Sequence, residues 1–193
     1  YNAYVNFELN KPDKTILILT EYLSMNPDDL FTEYAEYLIA MCYYIKVSDP
    51  SRDSKFTKIA IEKFNKIIKN KPNSKYAKDA KFKLEYLNNY LARKEFEVGM
   101  YYLKNNAPSP AINRFSIVVR DYQGSSIIPQ TLYRMHEAFE MLKLKDKSNQ
   151  TYLILKYNFP KSKWTQEITN KENNIIDEPG YFKNIMNKMI SIF

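Results

Sequence analysis

The chain has 193 residues, of which 45% are apolar, and only three glycines stand against 17 tyrosines and 11 phenylalanines. This composition supports a packed core, excludes a disordered tail and favours helices over Gly-rich phosphate loops. The formal net charge of +7 would favour a nucleic-acid or anionic-membrane surface only if the cations were clustered. Lysines occur in nearly every segment and are interleaved with acidic residues, so we interpret the charge as a solvated surface.

One pattern recurs four times: a small residue, a bulky apolar residue four positions later, and a helix-ending position eight residues further on. The copies are Thr15, Leu19, Pro27; Ala60, Phe64, Pro72; Ala111, Phe115, Gln123; and Ser148, Tyr152, Pro160. Residues four apart share a helix face, so the small residue lets a neighbouring helix approach beside the bulky one. Proline, present in three copies, cannot continue the helix. Helix hairpins are therefore predicted to end near residues 27, 72, 123 and 160.

Polar residues follow each predicted helix end and are candidate N-caps for the next helix. They are Asp28, Ser74, Ser126 and Ser162. The partner helices carry apolar stripes of their own, formed by Tyr34, Tyr37, Leu38, Met41 and Ile45 in one and by Leu132, Met135, Phe139 and Leu142 in another. Such hairpins bury their apolar faces by stacking on one another. The pattern resembles the tetratricopeptide repeat, so we predict an all-α helical solenoid of about four hairpins plus a C-terminal helix.

The spacing between the copies exceeds the usual repeat of about 34 residues, and two segments account for the excess. Residues 45–53 are predicted to form a loop, and the apolar spacing from Ala77 to Tyr102 predicts one unusually long helix that ends near Asn105. We therefore divide the chain into a repeat array over residues 1–164 and a C-terminal region over residues 165–193. That region is predicted to contain a linker and a capping or docking helix, whose stripe is Phe182, Ile185, Met186, Met189, Ile190 and Phe193.

The residue types that catalysis and metal binding require are scarce. His136 is the only histidine and Cys42 the only cysteine, so a multi-histidine metal site and a disulfide framework are both excluded within the chain. We interpret His136 as structural and Cys42 as a buried, inert thiol. Since no phosphate loop, dinucleotide fingerprint or calcium loop is present, the sequence predicts no enzyme activity, no catalytic residues, no metal site and no cofactor.

A series of ordered motifs between residues 49 and 164 carries a family resemblance. The motifs are Pro72-Asn73-Ser74-Lys75-Tyr76-Ala77-Lys78-Asp79-Ala80, Leu91-Ala92-Arg93-Lys94-Glu95, Val98-Gly99-Met100-Tyr101-Tyr102-Leu103-Lys104, Ala111-Ile112-Asn113-Arg114-Phe115 and Tyr157-Asn158-Phe159-Pro160-Lys161-Ser162-Lys163-Trp164. In this order and spacing they resemble the BamD family of outer-membrane barrel-assembly lipoproteins. The resemblance implies five repeats on the periplasmic face of the outer membrane and a lipid-bearing cysteine. On this basis the chain lacks the lipid anchor and the first repeat, residues 1 to about 27 represent the second repeat, and Cys42 is not the lipid-bearing cysteine.

The resemblance also implies the partners and a binding site. The barrel-forming assembly protein would be contacted through its polypeptide-transport-associated domains, chiefly by the C-terminal repeats, and the N-terminal repeats would recognise unfolded outer-membrane precursors. Other assembly lipoproteins would be further partners. The arginine of the family's Asn-Arg motif, implicated in the first contact, corresponds to Arg114, whose planar donor fork suits a carboxylate. Asn113, Arg120 and Asp121 are neighbouring candidates. The alternative for Arg114 is an ion pair within its own hairpin.

A second hypothesis from a different class is a basic cytoplasmic adaptor that binds peptides or nucleic acid through the same kind of repeats. The tyrosines occur at helical spacing, which is typical of packing, and we see no concentrated basic surface or known nucleic-acid-binding module. We therefore favour the assembly scaffold, with no nucleic-acid partner and with membrane contact only through a lipid anchor.

Overall fold

The computed structural model describes residues 1–47 and 54–171. Within these ranges it contains nine α-helices and no strand, which confirms the all-α, tetratricopeptide-type fold predicted from the sequence. The helices are α1 (Asn2–Glu8), α2 (Pro12–Met25), α3 (Thr32–Ile45), α4 (Lys55–Asn70), α5 (Lys75–Lys104), α6 (Pro108–Asp121), α7 (Ile128–Met141), α8 (Lys145–Asn158) and α9 (Lys163–Lys171).

The repeated pattern corresponds to the even-numbered helices α2, α4, α6 and α8. Their last residues are Met25, Asn70, Asp121 and Asn158, each two positions before the predicted end. All four small residues of the pattern are fully buried, and the four bulky residues are at most 7% exposed. The small residue therefore lies inside the core, where a larger side chain would separate the packed helices.

Three odd-numbered helices, α1, α5 and α7, end in the same turn. Asn10, Asn106 and Lys143 have positive φ angles of 53°, 57° and 59°. After α7, the Lys143 amide donates to the carbonyl oxygen of Glu140 and the Leu144 amide donates to that of Phe139. These paired hydrogen bonds form a Schellman motif, and the amides after α1 and α5 bond in the same pattern. The recurrence gives the hairpins α1–α2, α5–α6 and α7–α8 a short, defined connection.

Two of the four predicted caps are confirmed. Ser74 Oγ accepts a hydrogen bond from the Ala77 amide at 3.0 Å, and Ser162 Oγ accepts one from the Trp164 amide at 3.3 Å. The predictions for Asp28 and Ser126 are wrong, since Phe31 and Ile127 hold the N-cap positions of α3 and α7. In both turns the adjacent polar residue, Asp29 or Ser125, accepts the amide hydrogen bond instead.

The predicted long helix is confirmed as α5, which spans 30 residues. The chain forms two compact units whose boundary falls within α5, between Leu91 and Ala92. The first unit contains α1 to α4 and the beginning of α5, and the second contains the remainder of α5 and α6 to α9.

The first unit has two clusters of buried side chains. One joins α1, α2 and α3 around Leu19, Ala35 and Leu38. The other joins α3, α4 and α5 around Ala60, Phe64 and Leu87. A hydrogen bond of 2.6 Å from the Tyr37 hydroxyl to the Asp79 carboxylate links α3 to α5. Burial is the larger cause that raises the pKa of Tyr37, and this hydrogen bond raises it further.

The second unit has one continuous core that extends from α5 to α9. Helix α9 packs against α7 and α8, with Ile168 only 2% exposed. The Tyr133 hydroxyl donates to Glu167 at 2.6 Å. The domain boundary at residue 164 stays a prediction, and the first residues beyond it form a helix that covers this core.

Parts of two predictions fall outside the described residues. They are most of the loop over residues 45–53 and the terminal helix with its stripe from Phe182 to Phe193. In the described ranges, none of the helices combines the length and the apolar character that a membrane crossing requires.

Candidate partner-binding surface

Helix α6 carries all four residues predicted to contact a partner. Its buried residues Ala111, Phe115 and Val118 fix the rotation of the helix about its axis. Asn113 and Arg120 are seven positions apart, as are Arg114 and Asp121, and seven residues make nearly two helical turns. The two pairs therefore form two neighbouring rows on α6, about 100° apart around the helix axis and outside its fully buried side. We call these four residues the α6 face.

The close approach of α6 to α5 depends on Gly99. A Cβ atom at this position would lie 2.5 Å from Cε1 of Phe115, so the phenylalanine ring occupies the space that any other side chain would need. Phe115 is fully buried and its ring centroid lies 5.7 Å from that of Phe96. The glycine thus sets how deeply α6 packs, and with it the position of the α6 face.

Arg114 forms an ion pair inside the second unit. Its Nη1 donates to Oε2 of Glu95 on α5 at 3.0 Å, and the two side chains are 41% and 23% exposed. This is the intramolecular alternative considered from the sequence, and Glu95 is a residue that sequence reasoning did not single out as its partner. The partner contact of Arg114 stays a prediction. Because a guanidinium has five N–H donors, one bond to Glu95 leaves donors for a second carboxylate.

Arg120 and Asp121 pair with each other at the C-terminal end of α6. The Arg120 Nε and Nη2 atoms donate to the two carboxylate oxygens at 2.7 and 2.9 Å. These hydrogen bonds hold the pKa of Asp121 below its usual range and raise that of Arg120. Asn113 is exposed on the same face. The α6 face therefore presents charged and amide groups, with Arg114 tied to α5 and Arg120 tied to its neighbour.

The first unit contains an open apolar groove with a volume of about 510 Å³. Helices α1, α2 and α3 line it, and its aromatic walls are formed by Tyr4, Tyr22, Phe31 and Tyr34. Phe31 is 62% exposed. Sequence reasoning did not predict this groove, because its wall residues come from three helices and share no spacing.

The two residues whose types could suggest catalysis or metal binding, His136 and Cys42, are both buried. His136 is 6% exposed, and its Nδ1 lies 2.8 Å from Oγ of Ser148 and 3.1 Å from the Ser148 carbonyl oxygen. Cys42 is fully buried, and burial raises the pKa of its thiol to about 11. Among the residues that the structure describes, no three His, Cys, Asp or Glu side chains come together as a potential metal site.

These features define a helical-repeat protein of the tetratricopeptide class. It has stacked helix hairpins with buried small and bulky repeat residues, and it carries an apolar groove and a polar helix face. Residues 1–154 match the model of the YfiO family, described as outer membrane lipoprotein. This match covers well over half of the chain. The chain therefore belongs to the YfiO family of outer membrane lipoproteins, and the resemblance to BamD proteins identified from the motifs is confirmed.

Curated relatives give the same assignment. The outer membrane protein assembly factor BamD of Rickettsia prowazekii (strain Madrid E) is 36% identical over 162 residues, which cover 84% of this chain and 64% of the relative. The factor of the same name from Caulobacter vibrioides (strain ATCC 19089 / CIP 103742 / CB 15) is 33% identical, with coverage of 84% and 53%. That of Neisseria gonorrhoeae is 28% identical, with coverage of 83% and 64%. The chain thus spans 53% to 64% of the length of these relatives.

Proposed function

We propose that the chain is a non-enzymatic scaffold component of the outer-membrane protein assembly complex. It supports the folding and insertion of β-barrel proteins by binding the periplasmic domains of the barrel-forming partner. The observation that carries the proposal is the similarity to proteins named outer membrane protein assembly factor BamD, which extends over 84% of the chain for two relatives. In this proposal the full-length protein is lipid-anchored at the periplasmic face of the outer membrane.

The α6 face is the proposed docking site for the polypeptide-transport-associated domains of that partner. Arg114 is held in place by Glu95 and is still 41% exposed, so its side chain is ordered before the partner arrives. Pre-ordering lowers the entropy cost of forming a new contact. A partner carboxylate would engage the donors that Glu95 does not use, while Asn113 and Arg120 add polar contacts beside it.

The apolar groove of the first unit is the proposed site for unfolded outer-membrane precursors. Its aromatic walls provide apolar area for an extended segment, because tyrosine and phenylalanine rings contribute large buried surfaces and few rotatable bonds. Other assembly lipoproteins are proposed as further partners of the chain.

The role of Arg114 is tested by calorimetric titration of three charge variants with the periplasmic domains of the barrel-forming partner from the same organism. Arg114→Glu should weaken binding by about 30-fold or more, since breaking a hydrogen-bonded interfacial charge pair typically costs about 2 to 5 kcal/mol. Glu95→Gln removes the negative charge that competes for Arg114 but keeps an amide oxygen that can accept its hydrogen bond, so binding should be unchanged or tighter. Arg93→Glu, an equal charge reversal at an exposed position of α5, should have little effect.

The pattern of the three variants separates the two interpretations of Arg114. If Arg114→Glu and Glu95→Gln weaken binding equally, the arginine acts through its ion pair with α5 and does not contact the partner. If Arg93→Glu weakens binding as much as Arg114→Glu, only the overall charge matters and the α6 face is not the site.

A further inference from the structure

The positive charge of the chain is concentrated in one segment. Residues 54–83 contain ten lysines and two acidic residues, Glu62 and Asp79, which gives a net charge of +8. The rest of the chain carries a net charge of −1, so this segment accounts for the whole excess of +7. The interpretation of the charge as evenly interleaved is therefore wrong for α4 and the beginning of α5. The reason is that acidic residues elsewhere in the chain compensate the other basic residues almost completely.

The beginning of α5 places three of these lysines on one helix face together with two aromatic residues. Ala77, Ala80 and Leu87 are fully buried and define the side of α5 that packs. Besides Glu85, five residues are exposed on the opposite side: Lys75, Lys78, Lys81, Phe82 and Tyr86. We call these five residues the α5 surface. They extend over about 17 Å at 1.5 Å per residue.

The aromatic residues of the α5 surface are unusually open to solvent. The side chain of Phe82 is 72% exposed and that of Tyr86 is 56% exposed. They are four positions apart and therefore neighbours on the helix, and Tyr86 rests with its ring centroid 5.8 Å from that of Tyr44. The Phe82 ring lies between lysines and exposes apolar area at the centre of a cationic surface. Packing among the described residues leaves this area exposed.

Acidic side chains compensate part of the segment's charge but leave the α5 surface cationic. Glu36 and Glu33 of α3 pair with Lys66 and Lys71, and Asp79 lies 3.9 Å from Lys83. These acidic groups engage lysines outside the α5 surface. Glu85 is exposed on the same side of α5 and offsets one positive charge, so the α5 surface with Glu85 keeps a net charge of +2.

We propose that the α5 surface docks the protein on an anionic phospholipid bilayer. Lys75, Lys78 and Lys81 contact the lipid phosphates, while Phe82 and Tyr86 reach the boundary between headgroups and acyl chains. A helix face on which lysines flank exposed aromatic residues is typical of helices that bind anionic membrane surfaces. This contact goes beyond the proposed scaffold function, because it is made by the folded chain and needs neither a lipid anchor nor a protein partner.

The exposed phenylalanine favours a bilayer over a purely acidic partner. An acidic peptide would satisfy the lysines but would leave the Phe82 ring in water, whereas a bilayer takes up both. The membership in a family described as outer membrane lipoprotein also brings the surface near a membrane. Single-stranded nucleic acid offers phosphates and stacking bases, and it is therefore included as an outcome of the test.

The first experiment is flotation of the chain with vesicles of phosphatidylcholine alone or mixed with phosphatidylglycerol. Wild type should float only with phosphatidylglycerol, and sodium chloride should release it. The variant with Lys75, Lys78 and Lys81 changed to Gln should lose affinity by on the order of 100-fold, at roughly fivefold for each lysine near an anionic surface. Gln has nearly the helix propensity of Lys, so circular dichroism should show an unchanged fold. Changing the exposed residues Lys104, Lys145 and Lys161 to Gln is the matched control and should have little effect.

The second experiment separates insertion from charge attraction. Phe82→Ala should weaken vesicle binding about tenfold through the lost burial of the ring, whereas Tyr101→Ala, at a ring 66% exposed elsewhere on α5, should not. Equal effects of these two variants would overturn the insertion of Phe82. Absence of wild-type binding, or equal losses in both lysine triples, would overturn the membrane surface. Binding of a single-stranded oligonucleotide that requires Lys75, Lys78 and Lys81, without vesicle binding, would assign the α5 surface to nucleic acid and overturn the proposal.

Discussion

Replacing Gly99 with alanine should destabilise the second unit, although alanine is the better helix former. The substitution adds one methyl group in the interior of α5, where it would lie 2.5 Å from Cε1 and 2.7 Å from Cδ1 of Phe115. Both distances are far shorter than a van der Waals contact. The phenylalanine ring cannot move aside at low cost, because it is fully buried and packs against Phe96.

Two opposing contributions set the size of the effect. Overpacking of a well-filled core typically costs about 1 to 3 kcal/mol. The change from glycine to alanine within a helix gains about 1 kcal/mol. Because the methyl group meets two atoms of a confined ring, we place the cost in the upper half of its range and expect a net loss of about 1 to 2 kcal/mol in the free energy of unfolding.

The assay is urea unfolding followed by the fluorescence of Trp164, the only tryptophan, which packs against the core of the second unit. The matched control is Gly124→Ala, where an added Cβ would meet nothing within 4 Å, and stability should change by less than about 0.5 kcal/mol. Phe115→Leu should reduce the penalty of Gly99→Ala in a double-mutant cycle, because the smaller side chain makes room for the methyl group. The reasoning is refuted if Gly99→Ala is as stable as wild type or more stable.

Three further predictions concern single positions. Phe64→Ala, at a fully buried repeat position, should destabilise the first unit by about 3 to 5 kcal/mol in urea unfolding monitored by circular dichroism; a loss below 1 kcal/mol would contradict its place in the core. Lys143→Gly should raise stability in the same assay by about 0.5 to 1 kcal/mol, since glycine adopts the φ of 59° without strain, and no gain would count against strain there. Because burial raises the pKa of Cys42 to about 11, its thiol at pH 8 should react with a disulfide reagent much more slowly in the native chain than in urea; equal rates would show that the thiol is accessible.

The features that depend on helical periodicity were predictable from the sequence. The small residues of the repeated pattern are all fully buried, namely Thr15, Ala60, Ala111 and Ser148. A small residue four positions before a bulky one is typical of a position where two helices pack closely. The long helix α5 followed from the apolar spacing in the same way. The spacing of apolar residues follows from which helix face is buried, so the periodicity predicts the buried face.

The exact start of a helix was less predictable, because it depends on which side chain reaches the first free amides. Asp28 and Asp29 are adjacent and chemically identical, and only the turn geometry gives the bond from the Phe31 amide to Asp29. The same holds for Ser125 and Ser126. Helix α9 also escaped prediction, because its residues are largely polar and its buried contacts depend on α7 and α8.

The surroundings of the candidate site were only partly predictable. An ion pair for Arg114 was anticipated, but Glu95 lies 19 positions away and becomes its partner only through the packing of Gly99 against Phe115. The α5 surface was missed for another reason. The distribution of lysines and acidic residues along the whole chain does not show it, because binding depends on which charges share one helix face.

The proposal that the chain is a scaffold for barrel assembly rests on direct binding to the barrel-forming partner. The measurement that tests it most directly is calorimetric titration of the folded wild-type chain with the periplasmic polypeptide-transport-associated domains of that partner from the same organism. We expect saturable binding. The absence of binding by a chain that circular dichroism shows to be helical and folded would contradict the proposed docking on these domains.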